Sequence, residues 1–244
     1  MGSSAHHFLL LLADSALPLG SFAFSSGLES YLAHSRPLSS FSSFLPLSLA
    51  SYSSTTLPYV IAAYKNPQDL VELNGSLDAT IMCTVGRRAS VAQGRALLAV
   101  WERSFSPALY FKVPGHAAKA LEAFSTRLKA NFLRLGESEL QITEPHLGPL
   151  FGAIASIVGL SIQQTAYVFL LSHVKALLSA AVRASVFGPY QSQKLLASED
   201  IQDGIHNAIR KDWNTRTEDT AQTIPVMDLW IGRHEILYSR IFNS

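Results

Sequence analysis

The side chains with chemistry to offer are eight histidines, many serines, one cysteine and a single carboxylate set among apolar residues. A transition-metal site needs imidazoles or thiolates spaced so that they converge on one ion. His6, His7, His34, His116, His146, His173, His206 and His234 form no H-x-x-x-H pair and no HExxH. His234 and Glu235 are adjacent, which puts them on different faces of a helix. No metal ligand is assigned. One thiol, Cys83, excludes an intramolecular disulfide and a multi-thiolate site, and fits a reducing compartment, the cytoplasm. No serine lies in a G-x-S-x-G elbow, and no GxxxxGK[ST] or strand-borne GxGxxG is present to cradle a phosphate. No catalytic residue is assigned either, and the chain reads as a non-enzyme.

The carboxylate is Glu29, the one formal charge between Asp14 and Arg36, in the stretch DSALPLGSFAFSSGLESYLAH. Buried and unpaired it would be strongly destabilising, so it must reach water, meet a cation or await a partner. Gly27, read as lying inside the same helix, costs roughly 1 kcal/mol relative to alanine and makes sense where another backbone comes close. The alternative to a partner is a small-ligand pocket lined by Glu29, Tyr31 and His34, which would make the chain a helical-bundle enzyme.

Charged residues are 15% of the chain and hydrophobic ones 48%, so much apolar surface must be hidden. A net charge of +1 argues against a nucleic-acid binder. The start, MGSSAHHFLLLLADS, has a short apolar run with no preceding Lys or Arg and is not read as a secretion signal. Two uncharged stretches, 37–64 and 147–172, raise the question of a membrane. Pro37, Pro46 and Pro58 interrupt the first, and Gln163 and Gln164 sit inside the second, where lipid would leave their amides without partners. Both are read as buried helices.

Strand signals are nearly absent and helical periodicity runs through the chain. Helices are predicted over about 8–13, 22–35, 38–52, 56–65, 68–82, 87–104, 115–134, 146–158, 162–187, 190–211 and 228–241. Asn66-Pro67 and Pro114-Gly115 open two of them, and Gly188-Pro189 closes the long one. The fold class is all-α, a single-domain bundle of about ten helices over residues 8–244 around a long central helix, with residues 1–7 left out as a disordered tail. On the central helix Val174, Leu177, Leu178, Ala181 and Val182 share an apolar face, and Lys175, Ser179 and Arg183 form a neighbouring strip. Small residues over 152–159 and 176–184 predict close packing instead of a roomy pocket. Segment 212–226 is polar and turn-rich, a loop before a last helix that leaves Phe242 exposed. Residues 87–134 carry nine basic side chains (Arg87, Arg88, Arg95, Arg103, Lys112, Lys119, Arg127, Lys129, Arg134) against Glu102 and Glu122. That bias suits a solvated face or a docking surface for an acidic partner.

LLLLADSALPLGSFAFSSGLESYLAH is similar to the N-terminal signature of the urease accessory protein UreF family, with its leucine run, LP-x-G-x-F turn and GLE. GRRASVAQGRALL, HLGPLFGAIASIVGLS, SHVKALLSAAVRASVFGPYQSQKLL and RHEILYSRIFNS resemble further segments of that family, in order, while 104–145 match poorly. Phe24 stands where many members carry Tyr. The resemblance implies a non-enzymatic helical scaffold that binds UreD (UreH in some organisms), recruits the GTPase UreG and couples GTP hydrolysis to nickel insertion into apo-urease. It implies a homodimer within that complex, and a tunnel through the complex as the path of the metal. Nickel is then handled by the complex and not bound stably by this chain, which needs no cofactor, nucleic acid or membrane. It places partner contacts on Phe22, Phe24 and Glu29, on Lys175, Arg183 and Gln193, and on Arg233, His234, Glu235, Tyr238, Arg240 and Phe242. The last six lie on a C-terminal docking helix, 228–244, that orders when UreD binds.

Overall fold

The structure is a computed structural model that describes residues 2–35, 40–109, 115–133 and 144–243. Among these residues it is helical and contains no strand. The α-helices are α1 (Gly2–Ala13), α2 (Leu28–His34), α3 (Phe41–Lys65), α4 (Leu70–Thr80), α5 (Thr84–Val100) and α6 (Ser106–Ala108). They continue as α7 (His116–Leu133), α8 (Leu147–Ile157), α9 (Ile162–Arg183), α10 (Pro189–Leu196), α11 (Glu199–Asp212) and α12 (Pro225–Arg233). Residues 2–7 belong to α1 and are not a disordered tail.

The core is the layer in which α3 lies along α8 and α9, with α5 and α11 flanking. α3 joins two predicted helices into one of 25 residues that runs through Pro46 and Pro58. A proline inside a helix costs about 3 kcal/mol; the two helices read from the sequence, 38–52 and 56–65, each contain one, and the break read at 53–55 is absent. The helix survives because it is buried on several sides, with Phe44, Leu57, Tyr59, Val60 and Ala63 fully covered. Its N-cap, Ser40, accepts from the Ser43 N–H at 3.3 Å. α9 starts with a capping box, the Ser161 and Gln164 side chains each accepting from the other's backbone N–H. By length and composition α9 could span a membrane, yet 56% of its apolar window is buried inside the molecule. It is a core helix.

Two helix ends differ from the sequence pattern. α9 stops at Arg183, where Ser185 takes the left-handed turn (φ 59°), and Gly188-Pro189 instead opens α10, with Pro189 in its first turn. Ser198 then caps a separate α11. The loop before α12 is docked on α3: the Tyr59 hydroxyl donates to the Thr217 carbonyl at 3.4 Å, and Ser54 and Thr223 hydroxyls meet at 3.1 Å. Helix α7 lies in the poorly matching stretch 104–145 and still places Leu121 and Phe124 in the core.

Polar groups lace the layer together. His146 is fully buried: Nε2 meets Asp78 Oδ1 at 2.9 Å, Nδ1 meets the Ser90 hydroxyl at 3.0 Å, and its N–H donates to Asn74 at 2.7 Å. Burial lowers its pKa, opposed by the Asp78 hydrogen bond. Four of the seven described cations of the basic segment meet acids, Arg87 on Asp78, Arg88 on Glu235, Arg95 on Glu144 and Lys129 on Glu102. All four stay at least 45% exposed, as on a solvated face; Lys112 and Arg134 lie outside the described residues. Close approach of α8 to α3 depends on Gly152, where a Cβ would run into the Val60 carbonyl. Gly152→Ala should therefore lower stability by about 1–3 kcal/mol despite alanine's better helix propensity, read as a lower midpoint in urea. An unchanged midpoint would mean that α3 and α8 move apart freely.

Candidate functional site

Glu29 stands in the first turn of α2, and Gly27 is not inside that helix but its N-cap, in the left-handed region at φ 86°. A Cβ there would be strained and would also sit 3.1 Å from the Ile231 backbone nitrogen, so glycine admits the backbone of α12. Three hydrogen bonds converge on the Glu29 carboxylate, all from the end of the chain. His234 Nε2 meets Oε2 at 2.9 Å, the Ile241 N–H donates to Oε1 at 2.7 Å, and the Phe242 N–H donates to Oε2 at 3.2 Å. The Asn243 N–H adds a bond to the Ala23 carbonyl at 2.7 Å. The charge that the sequence left stranded holds the protein's own C-terminus.

That terminus is not one helix over 228–244. α12 ends at Arg233, a single 3₁₀ turn covers His234–Ile236, and a non-helical strap with bends follows. His234 is wholly buried; with Nε2 donating to Glu29, its Nδ1 is left without a partner among the described residues. Phe242, expected to be exposed, is 4% exposed, with the Arg183 guanidinium 4.4 Å from its ring centre. Arg183 also donates to the Phe22 carbonyl, and Lys175 Nζ donates to Ala13 O, the end of α1, at 2.5 Å. Both cations fix the chain's own loop 13–22 onto α9. Glu235 pairs with Arg88 and lies 3.9 Å from Arg240. Trp230 packs on Tyr31 and Phe44, with ring centres 4.8 and 5.9 Å away, which anchors α12.

The structure brings Phe22, Glu29, Arg183, His234 and Phe242 into one corner and leaves Gln193 apart, exposed on α10. Phe24 is half-buried along a cavity, Arg233 is exposed, and Tyr238 is fully exposed. Outward from the strap and its neighbour stand Phe22, Leu229, Ile236, Tyr238 and Ile241, each more than half exposed. Sequence reading missed Leu229, Ile236 and Ile241; Phe242 was placed outward because a continuous helix was assumed. The pocket expected from Glu29, Tyr31 and His34 does not form around the carboxylate. Its oxygens are taken, the Tyr31 hydroxyl accepts from the Ser40 N–H, and His34 bonds the Ser30 carbonyl.

The close packing read over 152–159 is seen at Gly152 against Val60, and cavity space lies outside that stretch. One cavity of about 130 Å³ lies between α3, α5, α9 and α12, and one of about 70 Å³ adjoins it, both lined by Ser26, Tyr52, Gln93, Leu147 and His173. Tyr52 stacks between Phe169 and His173, at 5.1 and 4.1 Å. The signal in the sequence was Ser48, Tyr52 and Thr55 spaced along one helix face. Among the described residues no cluster of three metal-ligating side chains occurs.

Among the described residues the chain is all helical, with a clasped, apolar-edged strap, and comparison with known sequences says to which family it belongs. The UreF family model matches residues 38–198, and the chain belongs to that family. An uncharacterised urease accessory protein UreF-like from Schizosaccharomyces pombe is 39% identical, covering 98% of this chain and 97% of its own. Urease accessory protein F of Oryza sativa subsp. indica is 30% identical over 95% and 82%. Urease accessory protein UreF of Paenarthrobacter aurescens is 28% identical over 96% and 95%.

Two outcomes follow. Glu29→Gln should free the strap while the bundle stays helical, since an amide cannot accept three such bonds. Loss of about 2 kcal/mol corresponds to roughly 30-fold faster amide exchange at Ile241 and Phe242, and unaltered exchange would remove Glu29 as the clasp. Burial holds His173 down to about 4 from its ordinary 6.5. The unfolded chain therefore gains a proton that the native state refuses, and stability falls as pH drops from 6.5 toward 4, by at most about 3 kcal/mol. His173→Asn should lose less stability between pH 7 and pH 5 than the parent in urea melts.

Proposed function

We propose that the chain is a non-enzymatic scaffold of urease maturation, working in the cytoplasm as a homodimer with UreD or UreH. In this reading the assembly recruits the GTPase UreG and couples its GTP hydrolysis to nickel delivery into apo-urease. Nickel is cargo of the assembly, not a resident of this chain, and no cofactor is needed here.

Family membership supports the setting, and one feature of the molecule carries the role. The clasp immobilises α12, the turn and the strap, whose inner side chains, Met227, His234 and Phe242, are buried while Leu229, Ile236, Tyr238 and Ile241 face outward. Apolar groups held rigid at a surface bind with little loss of chain entropy, and contiguous apolar surface on a soluble domain marks an interaction site. The strap is a preformed edge for UreD. In this reading the tail is ordered before UreD arrives, its hydrogen bonds and the Phe242 anchor being satisfied within the chain. Arg88, Glu235 and Arg240 make a charged rim that sets orientation more than affinity.

Co-purification with UreD tests the reading. Tyr238→Ala combined with Ile236→Ser should weaken capture at least tenfold and leave thermal stability within about 1 kcal/mol, since both side chains face water. Capture at parental strength would place the UreD surface elsewhere.

A further inference from the structure

The two joined cavities contain groups that the scaffold role does not use. Tyr52 and His173 lie deep in the molecule, yet each keeps part of its surface open because it faces cavity space. The Tyr52 hydroxyl has no hydrogen-bond partner among the described residues. His173 meets the Ser48 hydroxyl at 2.9 Å through Nε2, which leaves Nδ1 for something else. Ser26, held at φ 50° beside them, also keeps its hydroxyl free of any partner among the described residues. Gln93 is fixed by the Ser21 hydroxyl at 2.9 Å and the Ala89 carbonyl at 3.3 Å, so it forms a firm wall.

Charge is almost absent from this space. Burial keeps the imidazole neutral and raises the phenol well above its ordinary range, so neither ionises near neutral pH. Asp228, the acid on the rim, accepts from the Gln222 amide at 3.1 Å. Asp228 lines the larger cavity but not the smaller one, so an ion in the space that the two share would lose its hydration with no counter-charge beside it, a far heavier cost than a neutral polar molecule meets. The larger cavity has room for about four waters, or for one small organic molecule in their place. Hydroxyls and an imidazole nitrogen offer both donors and acceptors within it. Met82, 81% exposed, stands at its mouth.

We propose that the junction at Tyr52, His173 and Ser26 binds a small neutral amide-type molecule, one with N–H donors beside a carbonyl acceptor. A carbonyl takes the Tyr52 O–H, and an N–H reaches the His173 imidazole or the Ser26 oxygen. Its three named groups lie on the turn before α2, on α3 and on α9, none of them on α12 or the strap, and the site needs no partner protein.

Urea and acetamide serve as probes, with tetramethylurea as the analogue that lacks N–H donors. NMR titration of the intact isolated chain up to about 50 mM, far below denaturing concentrations, should give saturable shifts confined to resonances around Tyr52 and His173. Tyr52→Phe, which removes a hydroxyl without a protein partner and so leaves folding intact, should weaken binding at least fivefold. Ala89→Leu keeps a good helix former in α5 and should close the larger cavity and abolish binding. Tetramethylurea should give no saturable response. Shifts that are linear and spread over the surface, saturable binding unchanged in both variants, or a cavity that holds only water would each overturn the proposal. Loss of UreD capture in the strap variants reads out separately, so either idea can fail alone.

Discussion

A carboxylate that is 12% exposed and receives hydrogen bonds from residues more than 200 positions away is the constraint around which one side of the molecule is arranged. Glu29 cannot be shielded from water without donors. The donors come from the last residues of the chain: two backbone N–H groups and a buried imidazole. Once they are in place, α12 must cross Gly27 within backbone contact distance, which only glycine at positive φ permits. Trp230 then meets Tyr31 and Phe44, and Met227, Asp228 and Ile231 close a wall of the larger cavity. One interaction thus shapes both the exposed apolar edge and an interior space.

The core solves a different problem, that of packing long apolar helices with few charges. Small residues on α8 let it approach α3 until backbones touch, while hydroxyls on α3 satisfy one another or nearby carbonyls. Buried polar groups are tolerated when paired, and Ser53 to Asp212 at 2.5 Å and His146 within its three bonds are such cases. Where α3, α5 and α9 diverge, pairing is incomplete and space remains. Close packing on one face of α3 and open, hydroxyl-lined space on another belong to the same helix.

Much of the helical order was legible in the sequence. Apolar periodicity marked α4, α5, α7, α8 and α9, because a buried face repeats every three to four residues whatever it packs against. Breaks were less legible. The break read at 53–55 is absent because Ser53 and Ser54 are buried and carry α3 through, and Ser185 took a turn that glycine usually fills because the chain had to reverse there. In the site, Glu29 was recognisable as anomalous, and Gly27 as a point of backbone approach. Their partner was not, since nothing local links residue 29 to residue 242. Lys175 and Arg183 illustrate the same limit: nothing along the helix shows that a cationic strip also holds a loop of its own chain.

Sequence alone determined the fold class, the family and the fact that one carboxylate needed an unnamed companion, since periodicity, motif order and desolvation are properties of short stretches. Tertiary structure decided who the companion was, which aromatic side chains of the tail turn inward, and that a neutral cavity opens beside Tyr52. Those outcomes depend on which distant groups can reach one another, and a hydrogen bond or a void exists only once both of its sides have been placed.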